Sequence, residues 1–192
     1  MTEKIRPATR QRYDAFTLAL HWITAASVIF LFASAHIWEV LERGTPLRKG
    51  LQAIHISCGI LLALVMIVRP LWRLFSQRSV RFAMPPVEST RPGKLLAHGM
   101  HGALYLLLFA QIVLGFLFRW SQQEPFTFFG LVDLSGWVTV STRLRHILAD
   151  WHSNVAWALI ALASAHAIAA LFHHYLLRDS VLRRMLPGRA FR

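Results

Sequence analysis

Acidic residues are scarce in this chain. Nine Asp and Glu stand against twenty-one Lys and Arg in 192 residues. Charge of both signs makes up only 16% of the sequence, where a soluble domain carries about 25%. That shortfall argues against an ordinary soluble domain. A single cysteine, Cys58, excludes an internal disulfide, and its place in an apolar run reads as packing. There is no Gly-rich phosphate loop, no nucleophile elbow and no zinc-protease signature, which removes the common nucleotide-binding and hydrolase readings. No internal repeat or low-complexity tract divides the chain. Its length suits one domain and is short for two, so the expectation is a single membrane domain over residues 1–192.

What the chain does have is apolar length. Hydrophobic residues make up 55% of it. A helix of roughly 20 apolar residues crosses a bilayer core of about 30 Å. Four runs are long enough: about 16–38, 51–71, 95–118 and 147–177. The fourth exceeds one crossing and must tilt or project. The expected fold class is an all-α membrane protein, a four-transmembrane-helix bundle. No cleavable leader is expected, because the first run follows a basic stretch and lacks a small-residue cleavage site. Residues 78–93, with three prolines and a glycine, read as a loop. Residues 119–146 read as a loop on the membrane surface with a short interfacial helix.

The excess of cations has a pattern. Fifteen fall in the N-terminal tail, the segment between the second and third runs with its flanks, and the C-terminal tail. Six fall on the opposite side: Arg43, Arg48, Lys49, Arg119, Arg143 and Arg145. Five acids on that side nearly balance them: Glu39, Glu42, Glu124, Asp133 and Asp150. The positive-inside rule then expects both termini in the cytoplasm, with membrane lipid as the surrounding partner. The net charge of +12 is thus accounted for by topology, and no nucleic-acid partner is expected. Trp38, Trp72, Trp120 and Trp151 lie at run edges, as an interfacial aromatic belt requires.

Ten histidines are the main chemical signal. Ionisable side chains inside a membrane are costly and mark function. His152 and His166 are fourteen residues apart on the fourth run. At about 1.5 Å per residue they are roughly 21 Å apart along the axis, and within about 40° of one face. The fourth and second runs both start on the outer side, so His55 is level with His152. The first run starts on the inner side, so His21 is level with His166. Two histidine pairs at two depths are what two stacked haems require. Imidazoles on both faces of an iron leave no open position, which favours electron transfer over oxygen chemistry at the metal. Ala25, Ala26, Gly59, Ala163, Ala165 and Ala169 leave room for a flat ring near these histidines. Spacing alone leaves structural histidines or another metal site open.

HW in the first run, IHISCG in the second, LAHGMHGALYLLL in the third, and DWH followed by AHAIAALFHHY in the fourth complete the pattern. This ordered set, spread from about residue 13 to about 187, resembles the bacterial cytochrome b561 family. The resemblance implies a four-helix bundle enclosing two b haems in the bacterial inner membrane, exchanging electrons with quinone as acceptor. Carried over by position, its iron ligands fall on His21, His55, His152 and His166.

The remaining polar residues keep two readings each. His98 and His101 open the third run and read either as quinone or propionate contacts or as interfacial anchors. His98 is the preferred of the two, and is also an alternative inner ligand. Arg69 and Arg73 on the inner side, and Arg143, Arg145 and Lys49 on the outer, read as propionate partners or as topology-determining charge. His173 and His174 read as interfacial, and His36 and His146 as outer-side residues that an electron donor would meet. Three functions follow. The first is an oxidoreductase passing electrons from an outer-side small-molecule donor, superoxide among those the resemblance implies, to ubiquinone or another quinone. The second is a cytochrome subunit anchoring a dehydrogenase partner of the hydrogenase or formate-dehydrogenase type. The third, a histidine-lined transporter, is weakened by the lack of carboxylates at depth.

Overall fold

A computed structural model describes residues 12–77 and 91–186. Four long helices dominate it: α1 Ala15–Glu39, α2 Pro46–Gln77, α3 Arg91–Gln122 and α4 Arg145–Tyr175. All four are long and apolar enough to cross a membrane. Each contains one of the runs found in the sequence and extends it by up to several residues at most ends. At the far end of α4 the helix instead stops at Tyr175, two residues before the run does.

The α1 helix begins where Asp14 caps it. The Asp14 carboxylate accepts from the Thr17 amide at 2.9 Å and from the Thr17 hydroxyl at 2.6 Å. Burial raises the carboxyl's pKa, but these Thr17 bonds outweigh it and hold the group below its ordinary 3.8. A carboxylate depressed in this way stabilises the fold above its unfolded value. That contribution is lost as pH falls through the lower folded value. Asp14→Ala is expected to cost about 1 kcal/mol at neutral pH. The gap between variant and parent should close below pH 3.8. Thermal melts of the detergent-solubilised protein across that range check both statements.

The sequence places residues 78–93 in a loop, but the helix α3 already includes Arg91, Pro92 and Gly93. Proline is tolerated in a first helical turn, where its missing N–H has no partner to lose. The rest of that segment, 78–90, lies outside the described residues. A second proline, Pro70, sits inside α2. It withholds one helical hydrogen bond from the Met66 carbonyl.

The segment between α3 and α4 also differs from expectation. In place of an interfacial helix it forms a two-stranded antiparallel ribbon, β1 Thr127–Phe128 with β2 Val132–Asp133, and a short 3-10 turn at Thr142–Leu144. Gly130, at φ +73°, supplies the left-handed backbone at the ribbon's tip. Phe126 and Leu134 are buried beneath the ribbon. The Trp120 indole donates to the Leu134 carbonyl at 2.9 Å. The Phe129 amide donates to Ser57 Oγ, buried in α2, at 3.0 Å. The ribbon is therefore pinned to two helices.

In the bundle, α1 packs along α2 and α3 along α4. The two pairs meet mainly through α2 and α3, and α1 touches α4 only slightly. Leu62 and Met66 of α2, Leu108 of α3 and Leu159 of α4 form the buried core, with Val28 and Leu31 of α1 against it. Met66 is fully enclosed. Large apolar side chains such as Ile29, Leu64, Leu106 and Ile168 point outward on all four helices. A soluble protein rarely exposes apolar surface so continuously, whereas lipid requires it. Hydroxyls within the spans bond to their own helix: Thr24 to Leu20, Ser34 to Leu31 and Ser164 to Ile160.

Candidate functional site

The candidate ligands fall into two clusters, each drawing on all four helices. Leu159 lies seven residues from both His152 and His166. Seven residues are nearly two helical turns, about 10 Å. The buried core thus forms an apolar layer midway between the two histidine levels of α4.

One cluster holds His55 of α2 and His152 of α4, close enough to interact electrostatically. From α1, Ser34 Oγ lies 2.9 Å from His55 Nδ1, and the Trp38 ring stands edge-on to the imidazole at 4.7 Å. From α3, the Gln111 side-chain amide lies 3.2 Å from His152 Nε2, and the Phe118 ring is 6.4 Å from the imidazole. The backbone at Gly115 approaches the His152 ring closely. A Cβ there would stand 3.1 Å from Cε1, tighter than an ordinary contact. A side chain at Gly115 would make the His152 ring give way by a few tenths of an ångström. His152 Nδ1 and Gln111 Oε1 are buried with no hydrogen-bond partner.

The other cluster holds His21 of α1, Arg69 of α2, His101 of α3 and His166 of α4. His21 interacts electrostatically with the other three. The His101 and His166 rings stand edge to face at 5.2 Å. The Arg69 guanidinium carbon lies 5.3 Å from the centre of the Tyr105 ring. Proximity of a cation to an aromatic face is itself favourable, by about 0.5–1 kcal/mol where solvent reaches it.

The other polar residues spread out. His98 is exposed, with Nδ1 donating to the Lys94 carbonyl at 2.6 Å. His101 makes the same bond to Ala97 at 2.6 Å. Of the two, the structure sets His101 beside the His21 and His166 level. His36 donates to the Phe32 carbonyl and lies against Trp157, away from both clusters. His173 pairs with Asp179 at 2.5 Å, just past the end of α4. His174 stands edge-on to Tyr175 at 4.9 Å. Arg73, Arg143, Arg145, Lys49 and His146 are exposed.

Sequence reasoning did not single out Ser34, Tyr105, Gln111 or Gly115. Gln111 carried a signal, as a lone amide deep in the third apolar run. Ser34 and Gly115 carried none, because small residues are common in membrane helices.

The residues fit haem. The two pairs join α1 with α4 and α2 with α4, helix pairs whose backbones make little or no close contact. A flat macrocycle needs such a separation between its ligands' helices. A Cβ at Gly59, one turn after His55, would meet nothing within 4 Å. His152 Nδ1 is buried without a hydrogen-bond partner, while Nε2 of the same ring has only the Gln111 amide, at 3.2 Å. Imidazole is also the ligand type that haem iron takes in electron-transfer proteins.

Fold and site together define a class: a multi-pass helical membrane protein with half-buried imidazoles brought together at two levels. Comparison with known proteins gives that class a family. Residues 12–188 match the family model described as prokaryotic cytochrome b561. The chain is 32% identical over 180 residues to cytochrome b561 homolog 2 of Escherichia coli strain K12, covering 93% of each. It is 29% identical over 183 residues to the probable superoxide oxidase CybB of Yersinia pestis, covering 92% of this chain and 97% of that one. It is also 29% identical over 183 residues to cytochrome b562 of Cereibacter sphaeroides, covering 92% and 96%. This chain belongs to the prokaryotic cytochrome b561 family. It is a bacterial membrane protein of the b-type cytochrome class, with an electron-transfer role.

Proposed function

We propose that the chain holds two b haems and carries electrons from a donor on the outer side of the bacterial inner membrane to a membrane quinone. The observation that carries this reading is the two-level arrangement of imidazoles, with α4 contributing one to each level. His55 and His152 would hold the outer haem, and His21 and His166 the inner one. Both termini face the cytoplasm, in keeping with the distribution of Lys and Arg. When bound, haem would supply one-electron exchange.

The chain's own residues do the rest. Four histidines fix ring position and spacing. Trp38 and Phe118 pack beside the outer imidazoles and limit water there. Arg69 places positive charge beside the inner cluster, suited to a propionate. Arg73 lies one turn further along α2, nearer the cytoplasmic surface. His98 and His101, both exposed, stand where a reduced quinone would take up protons from the cytoplasmic side, with His98 the preferred contact for quinone or propionate.

Superoxide is the donor that the relative from Yersinia pestis suggests by its name. The overall reaction balances as two superoxide and one quinone, with two protons, giving two oxygen and one quinol. Arg43, Arg48, Lys49, Arg143 and Arg145 supply cations on the side such an anion approaches.

The test has two stages. The purified protein should show about two b haems per chain by pyridine haemochrome, with sharp low-spin bands in the reduced-minus-oxidised spectrum. Pulsed superoxide in a stopped-flow cell should then reduce those bands, and added ubiquinone should reoxidise them. Haem-free protein overturns the reading, and haem that superoxide leaves oxidised overturns the donor. A second reading is favoured by the exposed Leu131 and Trp137 of the outer segment, which offer a protein partner an apolar face. In that case the chain is the cytochrome anchor of a hydrogenase- or formate-dehydrogenase-type complex. It would then copurify with a soluble subunit and be inactive alone.

A further inference from the structure

One ring nitrogen in the outer cluster has its role set by the protein. A serine hydroxyl carries one proton and two lone pairs. Ser34 donates its proton to the Leu31 carbonyl at 3.0 Å. Its oxygen is left to accept, and His55 Nδ1 lies 2.9 Å away. That oxygen therefore requires the proton on Nδ1, and Nε2 keeps the lone pair that a metal needs.

The arrangement is sheltered and rigid. Ser34 is 2% exposed. Its bond crosses from α1 to α2, and Trp38, one turn further along α1, stands edge-on to the same imidazole at 4.7 Å. The opposite histidine has no such support. His152 Nδ1 is buried without a partner, and its polar neighbour, Gln111, sits at Nε2 instead. The two outer imidazoles are thus held in different ways.

We propose that Ser34 is a positioning residue of the outer haem site, locking His55 in the Nδ1–H form and presenting Nε2 to the iron. This rests on the two-haem reading. An acceptor on the remote N–H of a metal-bound imidazole makes the ligating nitrogen more basic. A more basic ligand favours the oxidised iron. Ser34 therefore lowers the reduction potential of the outer haem, and His55 is the more strongly donating of its two ligands.

The test compares the full-length parent with Ser34→Ala and Ser34→Thr by redox titration of the haem bands and by low-temperature EPR of the ferric protein. Ser34→Ala should keep two haems. One of them should become harder to oxidise, with its oxidised-to-reduced ratio at fixed potential falling about tenfold, or about 59 mV for one electron. Its low-spin EPR signal should move with it, and the other haem should stay put. Ser34→Thr should restore parental values, because a threonine hydroxyl in a helix bonds the same preceding carbonyl. Repeating the pair in a His21→Ala background, which retains only the outer site, assigns the shift to that haem. If Ser34→Ala does not accumulate, Ser34→Cys takes its place, its sulfur being a poor acceptor, and the same upward shift is expected. Unchanged potentials and EPR, an equal shift of both haems, or a threonine variant as altered as alanine would overturn the proposal. A parent protein without haem would instead overturn the two-haem reading beneath it.

Discussion

With alanine in place of His166, the chain should purify with one haem where the parent carries two. Transfer to quinone should fall at least a hundredfold. A bis-imidazole site that loses one ligand would keep a single histidine bond, and the flat ring would otherwise be held only by packing. The outer site should be untouched, because the buried layer of Leu62, Leu108 and Leu159 separates the two levels. The inner cluster makes the experiment informative, since it offers three imidazoles for two axial positions. His101 stands 5.2 Å from His166 and belongs to a different helix. If His166 is the ligand, His101→Ala keeps both haems and His166→Ala loses one. If His101 is the ligand, the outcomes exchange. A haemochrome assay and a visible spectrum on the two variants, beside the parent, distinguish these cases. Two haems in both variants would mean that each histidine can replace the other.

One extra residue inserted into α4 immediately after Leu159 should be nearly as damaging, although it removes no side chain. It turns His166 by about 100° relative to His152 and moves it about 1.5 Å along the axis. One of the two imidazoles must then leave its pair, or the helix must bulge to absorb the residue. The expected result is loss of about one haem per chain and a lowered melting temperature. An insertion beside Gly130, at the exposed tip of the ribbon, should do neither, since such tips tolerate added residues. If both insertions retain two haems, the spacing along α4 is not what holds the sites in register.

The four helices were legible because a membrane imposes a length on them, and the chain has four runs that meet it. The two levels on α4 were legible for a similar reason. His152 and His166 lie on one helix, so their separation follows from helical rise alone. Features set between helices were not legible. Whether His98 or His101 faces the His166 level depends on how α3 is rotated, and no count along α3 gives that rotation. Ser34 meets His55 only because of how the turn between α1 and α2 sets one helix against the other. Gly44, at φ +87°, is part of that turn. The ribbon was missed because its strands are two residues each. What holds it is Phe126, Leu134 and the Ser57 bond, rather than any alternation in the sequence.

The apolar layer around Leu159 has an electrical consequence. On the proposed two-haem reading, it would keep water and ions from following an electron that passes between the two levels. The charge that moves is therefore uncompensated inside a low-dielectric slab, like charge driven across a capacitor. The levels are roughly 21 Å apart along α4, about two thirds of a membrane core of about 30 Å. Moving one charge across the full potential costs about 2.3 kcal/mol per 100 mV. An inward-moving electron, opposed by a negative interior, meets about two thirds of that, roughly 1.5 kcal/mol per 100 mV. The same leucines that hold the bundle together thus make its turnover sensitive to how strongly the membrane is energised.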